Sequence, residues 1–165
     1  MRRIRTLLVV AAAGALAVTV TAGTAAANRI DDGPGGAPFS AELDGLQEID
    51  PVTGEPGAGD LEATGFAVTT INLGTGVACY ELTHDLTPEP TMFHIHVGEA
   101  GTNGPVVVDF FTDHPDGVVP PSGCVDVDRD VALDILRNPE GYYFNVHNVE
   151  FPPGAIRGQL SASSR

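Results

Sequence analysis

The residues best able to do chemistry in this sequence are two histidines two positions apart, His94 and His96. They alternate with apolar residues and are followed by a glycine-rich loop, in a stretch that covers residues 93–105. On a β-strand successive side chains point to opposite faces, so both imidazoles lie on one face, about 7 Å apart along the strand. Imidazoles at that spacing can both turn toward one metal ion or one hydrogen-bonding partner. We therefore place the candidate functional site in this stretch.

The same alternation places two further groups on the polar faces of other predicted strands. His147 lies opposite the apolar side chains of residues 142–147, and Arg157 does so in the last predicted strand. If these strands are neighbours, both groups gather with His94 and His96 on the side of the sheet away from the core. Three imidazoles suit copper or zinc. The alternative is that the histidines are solvated or hydrogen-bonded to loop backbone. The pattern leaves the order of the strands open.

Short segments rich in β-branched and aromatic residues, separated by glycine and proline, dominate the chain from residue 39 onward. One short helix is predicted over residues 128–136, where Asp128 can cap the N-terminus and Pro139 follows the C-terminus. Many strands with a single small helix indicate an all-β fold, an antiparallel sandwich or barrel. The predicted strands are residues 39–43, 61–73, 77–83, 93–97, 106–111, 142–147 and 155–162, with loops at 48–60 and 112–123.

Residues 1–27 have the pattern of a secretory signal peptide. Basic residues precede an apolar segment, and three alanines then form a cleavage site. Residues 28–37 contain almost nothing that can be buried, so we expect a flexible lead-in there. Residues 38–165 are long enough for one domain with a single core. We expect export without membrane insertion after the leader is removed.

Cys79 and Cys124 are the only cysteines of the chain. Because an exported protein folds in an oxidising compartment, we expect them to form one disulfide. Closing a loop of about 45 residues contributes roughly 3–4 kcal/mol in the chain-entropy model. The alternative is a free or catalytic thiol.

The chain beyond residue 27 is strongly acidic. It carries five arginines, no lysine and all 22 acidic residues, which gives a net charge of −17. Such a surface repels nucleic acid and anionic lipid, because both associations depend on Lys and Arg contacts to phosphate. It suits solubility, attraction of cations or a salty habitat.

Longer motifs around the histidines resemble the chordin-type domain (CHRD), which occurs in chordin and in many secreted bacterial proteins. One motif is Phe-His-Ile-His at residues 93–96 with Ala-Gly-Thr-Asn-Gly-Pro at 100–105. Two more lie in residues 138–147 and 151–160, so the resemblance covers about residues 38–162. It implies an extracellular domain that has no settled biochemical role.

This domain is in turn similar to copper/zinc superoxide dismutases, whose copper ligands begin with a His-x-His strand. The similarity matches His94 and His96 to that first pair, His147 to a later ligand and Arg157 to the arginine that guides the anion. His114 is the only candidate for the bridging histidine, in a setting unlike that family's, and the further zinc ligands are absent. The implied fold is a Greek-key sandwich or barrel, immunoglobulin-like or superoxide-dismutase-like, with one short helix.

Two functions follow from these observations. The first is a secreted, non-catalytic binding module whose partner is an extracellular protein or a surface component. The alternative is a copper-binding protein with a three-histidine site at His94, His96 and His147. Any redox activity of such a site is expected to be weak. The two functions can be distinguished by removing one of these histidines. If the protein binds copper, the variant should lose stoichiometric copper binding.

Overall fold

The computed structural model describes residues 36–112 and 117–163, which form nine strands, one α-helix and two 3₁₀ turns. The helix α1 covers Arg129–Arg137, and the 3₁₀ turns cover Gly45–Gln47 and Pro139–Gly141. The strands are β1 (Ala37–Asp44), β2 (Thr64–Asn72), β3 (Val77–His84), β4 (Met92–Val97), β5 (Val106–Phe111), β6 (Ser122–Asp126), β7 (Tyr142–His147), β8 (Ile156–Gln159) and β9 (Ser161–Ala162).

All nine strands belong to one antiparallel sheet that curls into a nearly closed barrel. The strand order is β5-β4-β7-β8-β1-β2-β3-β6, and β9 pairs with β1. The end strands β5 and β6 approach each other and bring the two edges of the sheet together. The predicted all-β antiparallel class is therefore confirmed. Strands far apart in the sequence become neighbours, β4 with β7 and β8 with β1, and this order positions the candidate site.

Aromatic side chains fill the middle of the barrel. Tyr80 of β3 meets Phe93 of β4 across the interior, and Phe110 and Phe144 complete the cluster, with neighbouring ring centroids 4.9 to 5.5 Å apart. Full burial of one such side chain stabilises the fold by about 1.5–3 kcal/mol. The contact between β3 and β4 joins strands from distant parts of the sheet, so this cluster holds the barrel closed.

The single helix forms where its capping residue predicts it. The Asp128 side chain accepts hydrogen bonds from the backbone N–H groups of Asp130 and Val131, and Arg137 lies in the last turn. Both charges interact favourably with the helix dipole, and the Asp128 carboxylate also satisfies two N–H groups that have no partner inside the helix. Ala132 and Ile135 are buried against the barrel, so α1 packs through one narrow face.

Two details of the predicted strands were wrong. Strand β6 begins inside the predicted loop of residues 112–123, because an edge strand that pairs only with β3 can form without an alternating apolar pattern. The predicted strand of residues 155–162 divides at Leu160, whose N–H donates to the Tyr142 carbonyl before the chain turns to pair with β1. The predicted disulfide is confirmed: Cys79 of β3 and Cys124 of β6 are bonded, with an S–S distance of 2.11 Å.

The polar face of β4, β7 and β8 is covered by loops, so it forms a second buried layer outside the barrel. All six residues of β7 are buried, on both faces of the strand. The covering loops are residues 48–60, 98–105 and 148–155, and Asn103 ties two of them together by donating to the Ile49 carbonyl. The sequence correctly predicted which side chains of these strands face away from the core. These side chains lie outside the barrel, as predicted, but the loops enclose them.

The predicted signal peptide and nearly all of the predicted lead-in lie outside the described residues. Gly36 and Ala37 are described, and β1 begins one residue before the predicted domain boundary. Within the described ranges, no helix has the length and apolar character needed to cross a membrane.

Candidate metal site

The three predicted histidines lie on one face of two neighbouring strands, β4 and β7. In their antiparallel register His94 is opposite Asn145 and His96 is opposite Tyr143, while His147 lies two positions beyond Asn145 on the same face. Residues opposite each other on one face of a sheet have neighbouring side chains. Strand pairing therefore supplies the proximity that side-chain alternation alone left open.

The imidazoles approach closely enough to share one ligand. Nδ1 of His94 lies 3.2 Å from Nε2 of His147. One ring nitrogen of each histidine, including His96, lies within 4.8 Å of one ring nitrogen of each of the others. His94 and His147 are 6% and 5% exposed, and His96 is partly buried.

Backbone carbonyl groups fix the orientation of two of the rings. Nδ1–H of His96 donates to the Gly104 carbonyl at 2.8 Å, and Nδ1–H of His147 donates to the Pro152 carbonyl at 3.0 Å. Because a carbonyl oxygen can only accept, both neutral rings carry their lone pair on Nε2. Residue 104 must be glycine for this, since a Cβ there would collide with the carbonyl oxygen of Val97.

A hydroxyl and a carboxylate orient the third ring. Nε2 of His94 lies 2.7 Å from the Thr112 hydroxyl oxygen, and that hydroxyl donates to Asp109 at 2.8 Å. Since a hydroxyl has one hydrogen, the Thr112 oxygen then accepts from Nε2–H of His94. The lone pair of His94 is left on Nδ1, the nitrogen that faces His147. Asp109 also lies 3.5 Å from Nε2 of His94, which supports the same tautomer electrostatically.

One nitrogen of this group has no partner. Nε2 of His96 is shielded from solvent and makes no hydrogen bond to any described residue. An unsatisfied buried polar atom costs about 1–3 kcal/mol, so in a native protein it requires an explanation such as a bound ion, a ligand or a water molecule. His96 therefore offers a lone pair that the protein itself leaves unused.

Burial keeps the three rings in the uncharged form that binds metals. It lowers the pKa of His94, although the Asp109 charge opposes the shift, and it lowers the pKa of His96 with a further contribution from Arg157. Burial together with the neighbouring His94 lowers the pKa of His147 to about 4. At neutral pH all three lone pairs are available, without competition from protons.

Arg157 lies on the same face but binds a different set of groups. Its guanidinium carbon is 3.4 Å from the ring centroid of Tyr143, and its N–H groups donate to the Asn103 side chain and to the carbonyls of Glu99 and Thr102. The residue is 1% exposed. Arg157 thus anchors the loop of residues 98–105 over the sheet. The anion-guiding role implied by the resemblance stays a prediction.

Tyr143 connects the arginine to the histidines. Its ring stacks on His96 with the centroids 5.0 Å apart, and its hydroxyl accepts from the Gly104 N–H at 3.2 Å. Gly104 therefore contacts both Tyr143 and His96, so one short loop segment fixes the position of both rings. Alternation along β7 places Tyr143 on the same face as His147. If the pairing of β4 with β7 had been known, the sequence would have identified Tyr143 as a neighbour of His96.

A buried carboxyl group, Glu48, lies beside this layer and was not predicted. It is 3% exposed, and burial raises its pKa to about 8, although the Arg157 charge and a hydrogen bond with Asn145 oppose the shift. Two individual oxygens here, Oε1 of Glu48 and Oδ1 of Asn145, are buried without a hydrogen-bond partner among the described residues. Glu48 lies in a loop rich in acidic residues, proline and glycine, where nothing in the sequence separates it from its exposed neighbours.

Two other predicted positions lie elsewhere. The disulfide joins β3 and β6, on the side of the sheet remote from β4 and β7 in the strand order. His114, the weaker metal-ligand candidate, lies outside the described residues. Asp109 and Thr112 were missed, although a charged residue within the apolar run of residues 106–111 was a signal for Asp109.

Comparison with known proteins gives one finding. The family model described as the CHRD domain matches residues 39–160, which is most of the chain and includes every residue of the site described above. Neither curated proteins nor solved structures give a match.

Proposed function

This chain belongs to the CHRD-domain family, and from that premise we propose that it binds one copper ion through three histidines. The ligand atoms are Nδ1 of His94, Nε2 of His96 and Nε2 of His147. These are the nitrogens that carry lone pairs once the outer nitrogen of each ring is held by a protein oxygen. Histidines that bind metals regularly have their other nitrogen fixed in this way.

The unpartnered Nε2 of His96 carries the proposal. Without a metal, His94 could take the other tautomer, in which Thr112 donates to Nε2 of His94 in place of Asp109 and Nδ1–H of His94 donates to Nε2 of His147 at 3.2 Å. It would leave Nε2 of His96 buried without a partner. One ion explains all three nitrogens together.

The nitrogen separations suit a first-row transition metal. Two nitrogens bonded to one ion at about 2.0–2.1 Å and separated by 3.2 Å subtend an angle of about 100–105°, which is ordinary for copper and zinc. The widest separation, up to 4.8 Å, must close by about 1.2–1.6 Å for both nitrogens to reach one ion, which is a movement of under about 1 Å for each of the two rings. Copper is favoured over zinc because the group offers three imidazoles, whereas a structural zinc site takes four protein ligands.

The proposal includes action outside the cell. The predicted export signal in residues 1–27, the disulfide and membership of a family of extracellular-type domains support it. The acidic chain would concentrate cations at its surface. The broader role predicted from the sequence, a binding module for an extracellular partner, stays a prediction beside the copper site.

The experiment is a copper titration of the exported chain, with metal analysis after gel filtration. We expect one equivalent of bound copper in the native protein. Three variants each remove one ligand atom and keep the outer hydrogen bond: His96→Asn and His147→Asn retain a donor near the Nδ1 position, and His94→Gln retains one near Nε2. Each should lower copper affinity by more than about 100-fold, beyond the effect typical of an outer-shell residue.

The matched control is His84→Asn on β3, which removes a histidine that lies 3.9 Å from Glu89 and outside the three-histidine group. It should leave the copper stoichiometry at one. Retention of native circular dichroism in all four variants shows that binding, and not the fold, has changed. If the three ligand variants bind copper as the native protein does, the proposed site is wrong.

A further inference from the structure

We infer that the resident ion of this site is monovalent copper, Cu(I), held by three neutral imidazoles without a fourth ligand. This inference rests on the proposed copper site and adds the oxidation state. It depends on three properties of the site: the number of its donor atoms, their charge and their isolation from water.

The number of donors matches Cu(I) better than a divalent ion. Within the described residues, the group contains three histidines and no carboxylate or thiolate. Structural Zn²⁺ takes four ligands in a tetrahedron, and Cu(II) prefers a tetragonal set. Asp109 cannot complete such a set, because it contacts the outer nitrogen of His94 and accepts the Thr112 hydrogen.

The enclosure of the site disfavours water as the missing ligand. His94 and His147 are almost fully buried, and Nε2 of His96 is shielded from solvent. The Gly104 and Pro152 carbonyls that fix the rings belong to the loops that cover them. These loops therefore restrict the access of water to an ion held between the rings.

The charge of the surroundings favours the smaller ionic charge. The cost of burying an ion rises with the square of its charge, so a divalent ion pays about four times the Born penalty of a monovalent one. None of the three ligand atoms carries a negative charge to offset that penalty. The Arg157 guanidinium is close enough to act on His96, and it opposes added positive charge further. The Asp109 carboxylate, which lies 3.5 Å from the outer nitrogen of His94, belongs to a half-exposed side chain, so water screens its charge.

The test measures both oxidation states on the same exported protein. Cu(I) affinity is obtained without oxygen by competition with bicinchoninate, and Cu(II) affinity in air by competition with nitrilotriacetate. We expect the protein to hold Cu(I) at least 100-fold more tightly than Cu(II). For a one-electron couple this ratio raises the reduction potential by about 120 mV above that of the aquated ion. X-ray absorption of the Cu(I) form should show three nitrogen neighbours.

Two variants make the result specific. His96→Asn should lower Cu(I) affinity by more than about 100-fold, because only two imidazoles remain to hold the ion. His114→Ala should leave Cu(I) affinity within about twofold of native; this histidine lies two residues beyond Thr112, outside the described residues, and a loss of tenfold or more would overturn the three-ligand assignment.

The outcomes separate this inference from the proposal beneath it. One equivalent of Cu(II), bound as tightly as Cu(I) with a tetragonal paramagnetic resonance signal, would overturn the Cu(I) assignment and leave the copper site standing. Failure to bind either ion specifically would overturn both.

Discussion

Strands β4, β7 and β8 present two buried faces, and the two are stabilised in different ways. The inner face packs aromatic and branched side chains around Phe93 and Phe144, where contacts have no preferred direction. The outer face is equally enclosed, but its side chains are held by hydrogen bonds of defined donor and acceptor. The inner face depends on volume, whereas the outer face depends on the position of individual atoms.

The two faces also differ in what they leave unsatisfied. The inner face has no polar side-chain atom among those that are buried without a partner. The outer layer contains three of the four such atoms found in the described ranges: Nε2 of His96, Oδ1 of Asn145 and Oε1 of Glu48. Because each of these atoms reduces the stability of the fold, we infer that the inner face provides stability and that the outer face uses part of it to form a site.

The largest expected effect comes from breaking the inner face. Phe144→Ala should lower the free energy of unfolding by about 3–5 kcal/mol, since it leaves a cavity within the aromatic cluster. Urea denaturation followed by tyrosine fluorescence measures this loss. At low urea concentration, the folded variant should still bind one copper ion per chain. A loss below about 1 kcal/mol would show that the cluster does not close the barrel.

A smaller effect, near 2 kcal/mol, should come from the buried carboxyl of the outer layer. Burial raises the pKa of Glu48 from 4.5 to about 8, so the folded protein keeps a proton that the unfolded chain has released between these values. Stability should therefore fall as the pH rises. At about 1.4 kcal/mol per pH unit, the contribution of Glu48 falls by about 2 kcal/mol between pH 6.5 and 8. The site histidines act in the opposite direction over this interval, because the unfolded chain still holds protons on them at pH 6.5 while their lowered pKa values keep the folded rings neutral, so each raises stability by up to about 0.4 kcal/mol.

Glu48→Gln, which resembles the protonated carboxyl, provides the matched comparison. Relative to this variant, the native protein should lose about 2 kcal/mol of unfolding free energy from pH 6.5 to 8, and the variant's urea midpoint should exceed the native midpoint at pH 8. A difference between the two proteins that stays constant over this pH range would contradict a buried, protonated Glu48.

The smallest expected effect on stability comes from removing the hydrogen bonds at the outer nitrogen of His94. Thr112→Val keeps the shape of the side chain and removes the hydroxyl that joins His94 to Asp109. Because Thr112 is exposed, unfolding should change by less than about 0.5 kcal/mol, while copper affinity falls about 10-fold or more. Competition titration and urea denaturation of one sample measure both. If Thr112→Val binds copper as tightly as the native protein does, the Thr112 hydroxyl is not needed to orient the ring of His94.

Alternation along strands explains what the sequence predicted well. His94, His96 and His147 lie on the predicted face because a strand leaves a side chain only two directions. The helix near Asp128 was predictable for a similar reason, since a cap and the residues that follow it act locally. The disulfide needed only two cysteines and an oxidising compartment.

What the sequence could not predict depends on contacts between distant residues. The pairing of β4 with β7 rests on the whole strand order, which no local pattern encodes. Glu48 is buried because loops from three parts of the chain meet over the sheet. The division of the closing strand at Leu160 depends on a hydrogen bond to Tyr142 and on a change of partner to β1. Thr112 gave no signal, because a threonine next to a loop is ordinary until His94 is placed beside it.

The pairing of β9 with β1 also determines how this domain can be combined with others. Phe39 lies opposite Ala162, and Ser40 lies opposite Ser161, so the polypeptide enters and leaves the barrel side by side. A module with adjacent ends can be inserted into a surface loop of an unrelated protein or joined in tandem without distorting either fold. For the same reason the ends can be joined by a short linker and new ends opened at an exposed turn, such as the one at Gly54. The three-histidine site, with the copper ion proposed for it, would then be a unit that can be moved between proteins.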